Sequence, residues 1–188
     1  MRIQNKGIRT DAFYIPPFDL KEGEIVVIYL SNGPHFFQTE MFLKDIFSGS
    51  KKNENVEVYE KLTFVEHFIE PKFRRLFRPV TVGEYLKKNA DLESPFATRI
   101  YENKWIHKKR KVNELAGTPR KLVSLYATLS KTSDIIFDLT GVDPKGAEEV
   151  FGIVREVVRK GGSAILLDSF EDMKNECDKY IELQWLIE

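Results

Sequence analysis

The chain offers one cysteine in 188 residues, Cys177. That excludes an internal disulfide and a thiolate metal cluster, and it suits a reducing compartment. An excess of either charge is also missing, because 29 basic residues face 29 acidic ones. No whole-chain field then draws the protein to nucleic acid or to an anionic membrane, so any such preference has to be local. No apolar run approaches the roughly 20 residues that span a bilayer. The opening segment MRIQNKGIRTDAFY lacks the apolar region of a signal peptide, and the expectation is a cytoplasmic protein. The three histidines, His35, His67 and His107, have no metal-ligand spacing with one another or with Cys177. No internal repeat or low-complexity segment is visible. The remaining composition, 42% hydrophobic and 31% charged, describes an ordinary globular chain with room for a sizeable core.

The stretch around which the rest is organised is Ser133–Pro144, SDIIFDLTGVDP. Ile135, Ile136 and Phe137 form a short apolar run closed by Asp138, the pattern of a buried strand with an acid at its carboxyl end. In open α/β sheets ligands sit at that end. Gly141 to Pro144 is a turn signal. The spacing then predicts a long helix over Lys145–Lys160, with Val150, Phe151, Val154, Val157 and Val158 on its core face and Gly161-Gly162 capping it.

Residues 1–24 read as short strands and turns. Ile25–Leu30 is a second buried strand, broken by Ser31-Asn-Gly-Pro34 and followed by the helical spacing of Met41, Phe42, Ile46 and Phe47. Strand, glycine-containing turn and helix make the frame of a phosphate-binding loop. Val56–Phe64 reads as a further strand or hairpin. Residues 65–119 change character: they are basic, and helices are expected over Val82–Lys88 and from Ser94-Pro95. Pro119–Leu129 reads as a helix with Pro119 at its first position. Ala164–Leu167 is another buried strand, Phe170–Asn175 a short helix, and Tyr180–Leu183 a last strand. Strands alternating with helices predict a mostly parallel sheet with right-handed crossovers.

In this order and spacing the chain resembles the ATP-binding cassette (ABC) ATPases. ELAGTPRKLVSLYATLSKTSDIIFDLTGVDP lines up with their signature helix, Walker B strand and D-loop, and VREVVRKGGSAILLDSFEDMKNECDKYIEL with their last βα units. FDLKEGEIVVIYLSNG matches the strand before the Walker A loop, and LFRPVTVGEYL the segment after the Q-loop. The resemblance implies a three-layer α/β fold of the P-loop NTPase type: one domain over residues 1–188, with its core in about 1–70 and 120–188 and a helical insert at about 71–119.

The same resemblance marks what is missing. A working loop presents backbone N–H groups to the phosphates, a Lys to the β/γ oxygens and a Ser/Thr hydroxyl to Mg²⁺. Here Asn32 and Gly33 fit the pattern, but Pro34 has no N–H. His35 replaces a glycine, and Phe36 and Phe37 take the Lys and Ser/Thr places, where they are expected to pack the loop. In the longer register Gln38 and Thr39 occupy the Gly and Lys places, and Lys44 lies too far into the helix. Asp138 is kept, but Leu139 follows it where the family has the Glu that polarises the attacking water, and Leu cannot accept a proton. The motif is shortened before Asp143. Lys72 stands at the Q-loop Gln, Phe170 at the switch His, and Ala116 at the signature Ser. Leu115 and Gly117 of the signature remain, while Thr118 and Pro119 depart from it. The adenine-stacking aromatic has no clear match, with Tyr14 a weak candidate. Phosphoryl transfer needs these groups together.

The expectation is therefore a non-catalytic ABC ATPase-like subunit or regulator, with no cofactor and no metal. Its partner would be a membrane permease or an active ABC ATPase relative, holding it at the periphery of the inner membrane, and any homodimer would form without ATP. Candidate partner contacts are Arg74, Arg75, Trp105, Lys108, Lys109 and Arg110. The alternatives are an ABC transporter ATPase subunit with an unorthodox ATP-Mg²⁺ site and, less favoured at zero net charge, a nucleic-acid-binding module built on the basic clusters with Phe73, Phe77 and Trp105.

Overall fold

The computed structural model describes residues 1–31 and 35–186. The chain opens with four short strands, β1 (Ile3–Asn5), β2 (Ile8–Arg9), β3 (Phe13–Ile15) and β4 (Phe18–Leu20). They are followed by β5 (Ile25–Tyr29), α1 (Phe36–Phe47), β6 (Val56–Val58) and β7 (Thr63–Phe64). Next come α2 (Lys72–Phe77), α3 (Val82–Asn89), α4 (Phe96–Arg99), two single 3-10 turns at Ile100–Glu102 and Val112–Glu114, and α5 (Gly117–Leu129). The last part is β8 (Asp134–Phe137), α6 (Pro144–Val158), β9 (Ser163–Asp168), β10 (Lys179–Glu182) and β11 (Gln184–Trp185). Contacts divide the chain into two compact units. One comprises residues 1–64, 133–140 and 154–188, the other 65–132 and 141–153.

The first unit is built on a five-stranded sheet in the order β10-β5-β9-β8-β7, and every pairing in it is parallel. Its inner strands β5, β9 and β8 are short, largely apolar runs because both faces are covered. All six residues of β9 are buried, as are Ile25 to Ile28 of β5. Two small antiparallel sheets, β4-β1-β6 and β11-β3-β2, flank it. Residues 56–64 are therefore not a hairpin: Val56–Val58 pairs with β1, while Thr63–Phe64 pairs with β8. Helix α1 starts at Phe36, ahead of the apolar spacing that begins at Met41. Thr39 and Glu40 are buried along with Leu43, Ile46 and Phe47, which extends the inward face by a turn.

Gly162 shows how tightly β9 is entered. A Cβ there would lie 2.4 Å from the Ser133 carbonyl oxygen, so only glycine fits. Residues 169–178 form no helix. They are held by isolated turns, Lys174 N–H to Glu171 O and Glu176 N–H to Met173 O, and Met173 alone is fully buried there. One inward side chain does not give the periodic apolar face that stabilises a helix.

The second unit carries the helices α2 to α5. Thr81 opens α3 with a capping box: its hydroxyl accepts from Glu84 N–H at 3.2 Å, and the Glu84 carboxylate accepts from Thr81 N–H at 3.0 Å. Helix α5 begins at Gly117, so Pro119 is the third helical residue and not the first. The ring is still tolerated, since no N–H in that first turn has an intrahelical partner to lose. Ser124 and Ser130 tie α5 to its neighbours, through Tyr85 Oη at 3.2 Å and Asp91 N–H at 2.8 Å.

Phe47 is fully buried and meets Phe18 edge-to-face, with ring centroids 5.7 Å apart. Phe47→Ala is expected to cost about 3–5 kcal/mol and to lower Tm accordingly. A calorimetric scan checks this, and an unchanged Tm would contradict the packing described for α1.

Candidate functional site

The carboxyl edge of the parallel sheet is formed by the residues that end β5, β8 and β9. After β5 the chain passes Leu30, whose N–H donates to Asp168 O at 2.8 Å, and Ser31, which sits at φ 55°. Asn32, Gly33 and Pro34 lie outside the described residues. His35 precedes α1, with Nδ1 3.3 Å from Gln38 Oε1 and its ring 6.2 Å from that of Trp185. No side chain caps this helix and its first turn has no acid. Phe36 is half-buried against the core, whereas Phe37 is 64% exposed. Phe37 therefore does not pack the loop as expected: neighbouring helical residues point about 100° apart, so only one of the pair can turn toward the sheet.

Asp138 ends β8 in full burial, and its Oδ1 accepts from Thr140 N–H at 2.8 Å. Leu139 beside it is also buried. Asp168 ends β9 on the neighbouring strand and is only 4% exposed. Its Oδ1 accepts from Ser169 N–H at 2.7 Å and from Phe170 N–H at 3.3 Å, while Oδ2 has no hydrogen-bond partner among the described residues. Burial pushes the Asp168 carboxyl up from 3.8 to about 6. The charges of Asp172 and Asp138 add to the rise, and the two backbone N–H bonds oppose it. Sequence reasoning passed over Asp168, although an acid closing the apolar run Ala164–Leu167 is the same signal that marked Asp138. Beside it Tyr29 and Tyr180 stack at 6.0 Å, and Lys174 Nζ lies 4.7 Å from the Tyr180 ring. Burial, followed by Glu171 and Glu182, raises the Tyr180 phenol well above its ordinary value. Phe170 is 58% exposed.

In the second unit, the signature-like segment meets the loop before α6. Thr118 Oγ1 donates to Asp143 Oδ2 at 3.0 Å, and Gly146 N–H donates to Asp143 Oδ1 at 2.9 Å. Asp143 thus caps α6 just ahead of Pro144, and these bonds, that from Gly146 first, hold its carboxyl below the usual range. The approach is close. A Cβ on Gly117 would come within 1.7 Å of Gly141 O, and one on Gly146 within 2.0 Å of Thr118 Oγ1. Leu115 is buried and Ala116 exposed, and Arg120 Nη2 donates to Leu115 O at 2.6 Å. Lys72 opens α2 on the surface. The basic loop is strapped to α3 by Gly83 N–H to Lys108 O at 2.9 Å and Val82 N–H to Arg110 O at 2.8 Å. Trp105, Lys108 and Lys109 stay exposed, and Arg110 is half-buried. Among the described residues, no group of three or more His, Cys, Asp or Glu side chains is placed to hold a metal ion.

No protein-family profile and no curated protein matches the chain. Solved structures do. A Pyrococcus furiosus protein assigned as an ABC transporter ATP-binding protein superposes with a TM-score of 0.71 and 18% identity, covering 97% of this chain and 97% of its own. The dimeric ATP-binding cassette MJ0796, bound to ADP and phosphate in a post-hydrolysis state, gives 0.64 and 14%, covering 98% and 94%. CbiO1 from Clostridium perfringens, part of the ABC transporter complex cbiONQ, gives 0.62 and 16%, covering 91% and 78%. The fold is that of an ABC ATP-binding cassette. On this cassette fold the expected α/β class and parallel sheet are both present, as are the expected strand β5 and the helix α1 that follows it in the chain. Asp138 and Asp168 lie side by side at the edge where open α/β sheets receive ligands.

Asp168 gives the protein a pH signature. Its folded pKa lies above the unfolded value, so the folded state keeps its proton longer, and stability falls as pH rises from about 4 to about 6. Above that range the cost stays at roughly 3 kcal/mol. Asp168→Asn is therefore expected to raise Tm by several degrees at pH 7.5, with the gain shrinking as pH falls toward 4. Scans of both proteins across this range test it, and a pH-independent difference would contradict it.

Proposed function

We propose that the chain is a non-catalytic ABC ATPase-like subunit of a transport-type complex, structural or regulatory, that neither binds nor hydrolyses ATP. The observation that carries this reading is the start of α1. Phe36 and Phe37 stand there in place of a lysine and a hydroxyl residue, one against the core and the other in solvent. Charged phosphates stripped of water would find no compensating cation on that turn of helix. Around the Mg²⁺ position the residues fit no better. Asp138 is engaged by its own loop and Leu139 offers no base, while Asp168, the extra acid, sits beside Asp138 with its own proton held to about pH 6. Phe170, at the switch position, has no group to bond a phosphate.

Residues at about 71–119 act in this reading as the partner-binding insert of a single domain. Trp105, Lys108, Lys109 and Arg110 are the contacts proposed for a protein partner, either a permease or an active cassette relative. The solved relatives suggest both kinds of partner, since one is a dimer and another is part of a transporter complex. With Ala116 at the signature Ser, the chain could not complete a partner's γ-phosphate site, so any self-association is independent of ATP.

Calorimetric titration with Mg-ATP tests the reading. The expected outcome is no binding tighter than about 1 mM, which corresponds to about 4 kcal/mol. A tighter dissociation constant, or dimerisation driven by ATP in sedimentation, would overturn it.

A further inference from the structure

Helix α2 and the residues just before it do what a folded chain ordinarily avoids. No residue of α2 is buried. Ile69 is 85% exposed, Phe73 77%, Leu76 76% and Phe77 68%. Phe73, Leu76 and Phe77 share one face of α2, Ile69 lies in the irregular segment just before it, and the Phe73 and Phe77 ring centroids are 4.7 Å apart. The rest of the segment carries Lys72, Arg74, Arg75 and Arg78, with no acid between Pro71 and Thr81.

The nearby acids are already engaged. Glu70 accepts from Val80 N–H at 2.6 Å and from Asn113 Nδ2 at 2.9 Å, which closes the base of the segment. Glu84 belongs to the α3 capping box and pairs loosely with Arg78 at 3.9 Å. A chain of zero net charge thus concentrates four cations and four large apolar side chains on ten residues.

We propose that residues 69–78 form a wedge that seats this protein on the surface of an anionic lipid bilayer, with the apolar stripe in the acyl boundary and the arginines at the phosphate level. Charge complementarity selects the occupant: a predominantly cationic rim favours an anionic surface, and an apolar stripe favours hydrocarbon beneath it. No helix among the described residues is long and apolar enough to cross a membrane, so the segment lies on the bilayer and does not span it. Arg74 and Arg75, expected from the sequence to meet a protein partner, are assigned here to lipid. The inference goes beyond the proposed function and stands whether or not the chain binds ATP.

Vesicle sedimentation of the full chain tests it. The protein is expected to sediment with vesicles of phosphatidylglycerol and phosphatidylcholine, far less with pure phosphatidylcholine, and to be released by high salt. The triple variant Phe73→Ser, Leu76→Ser, Phe77→Ser and the double variant Arg74→Glu, Arg75→Glu should each lose at least about tenfold in vesicle binding. All five side chains are exposed, so an unchanged Tm will confirm that both variants fold. Wild type left in the supernatant with anionic vesicles would overturn the proposal, as would variants that fold and bind like wild type. Failure to bind vesicles combined with capture by a detergent-solubilised membrane protein would also overturn it, in favour of a protein partner.

Discussion

Strand β9 is the constraint on which the first unit depends. It pairs in parallel with β5 on one side and β8 on the other, and every one of its residues is buried. A central strand covered on both faces has no solvent side on which to place a polar residue, so its sequence is nearly continuous apolar side chain. The polar exceptions fall at its ends. Ser163 donates to Asp134 Oδ1 at 2.7 Å where the strand is entered, and Asp168 closes it. Gly162 lets the chain pass the Ser133 backbone at a distance no side chain would permit. The register that follows brings Asp138 and Asp168 to one edge.

That edge brings two carboxyl groups together under burial. Burial disfavours the charged form of Asp168 and lifts its carboxyl to about 6, and the nearby charges of Asp172 and Asp138 add to the rise. Asp138 accepts the Thr140 N–H, and Asp168 takes the rise in pKa with one oxygen unpartnered. In the proposed reading this edge lacks the cationic lysine, hydroxyl and water-positioning acid that phosphate chemistry requires together. A retained fold with a changed edge is an ordinary outcome, because function resides in sites grafted on the fold.

Much of this was legible in the sequence because the sheet announces itself. IVVIY, DIIF and SAILLD are apolar runs too short for helices, each bounded by turn residues. The position of Asp138 followed from those boundaries, whereas the capping role of Asp143 appears only in the structure. What stayed hidden depends on tertiary context. The partners of Val56–Val58 and Thr63–Phe64 are set by other segments, so a local reading left them as one strand or a hairpin. The stretch 169–178 has helix formers but only Met173 to bury. Phe37 and Phe36 are alike in sequence and differ only in which one the helix turns toward the core. Asp168 was overlooked because a strand-end acid reveals its burial only once its neighbours are placed.

The helical unit reverses this logic. Its α5 is anchored by buried serines and a close glycine contact, yet α2 contributes nothing to any core. Exposed apolar surface of that kind marks an interaction site. The cassette fold, the acidic sheet edge and the exposed basic-apolar segment are the observations on which the proposed docking role without ATP turnover rests. The most direct measurement is a crystal structure grown in saturating Mg-ATP. The account predicts no nucleotide between the β5–α1 turn and Asp138. Phosphates held by that turn, with Mg²⁺ on Asp138, would contradict it.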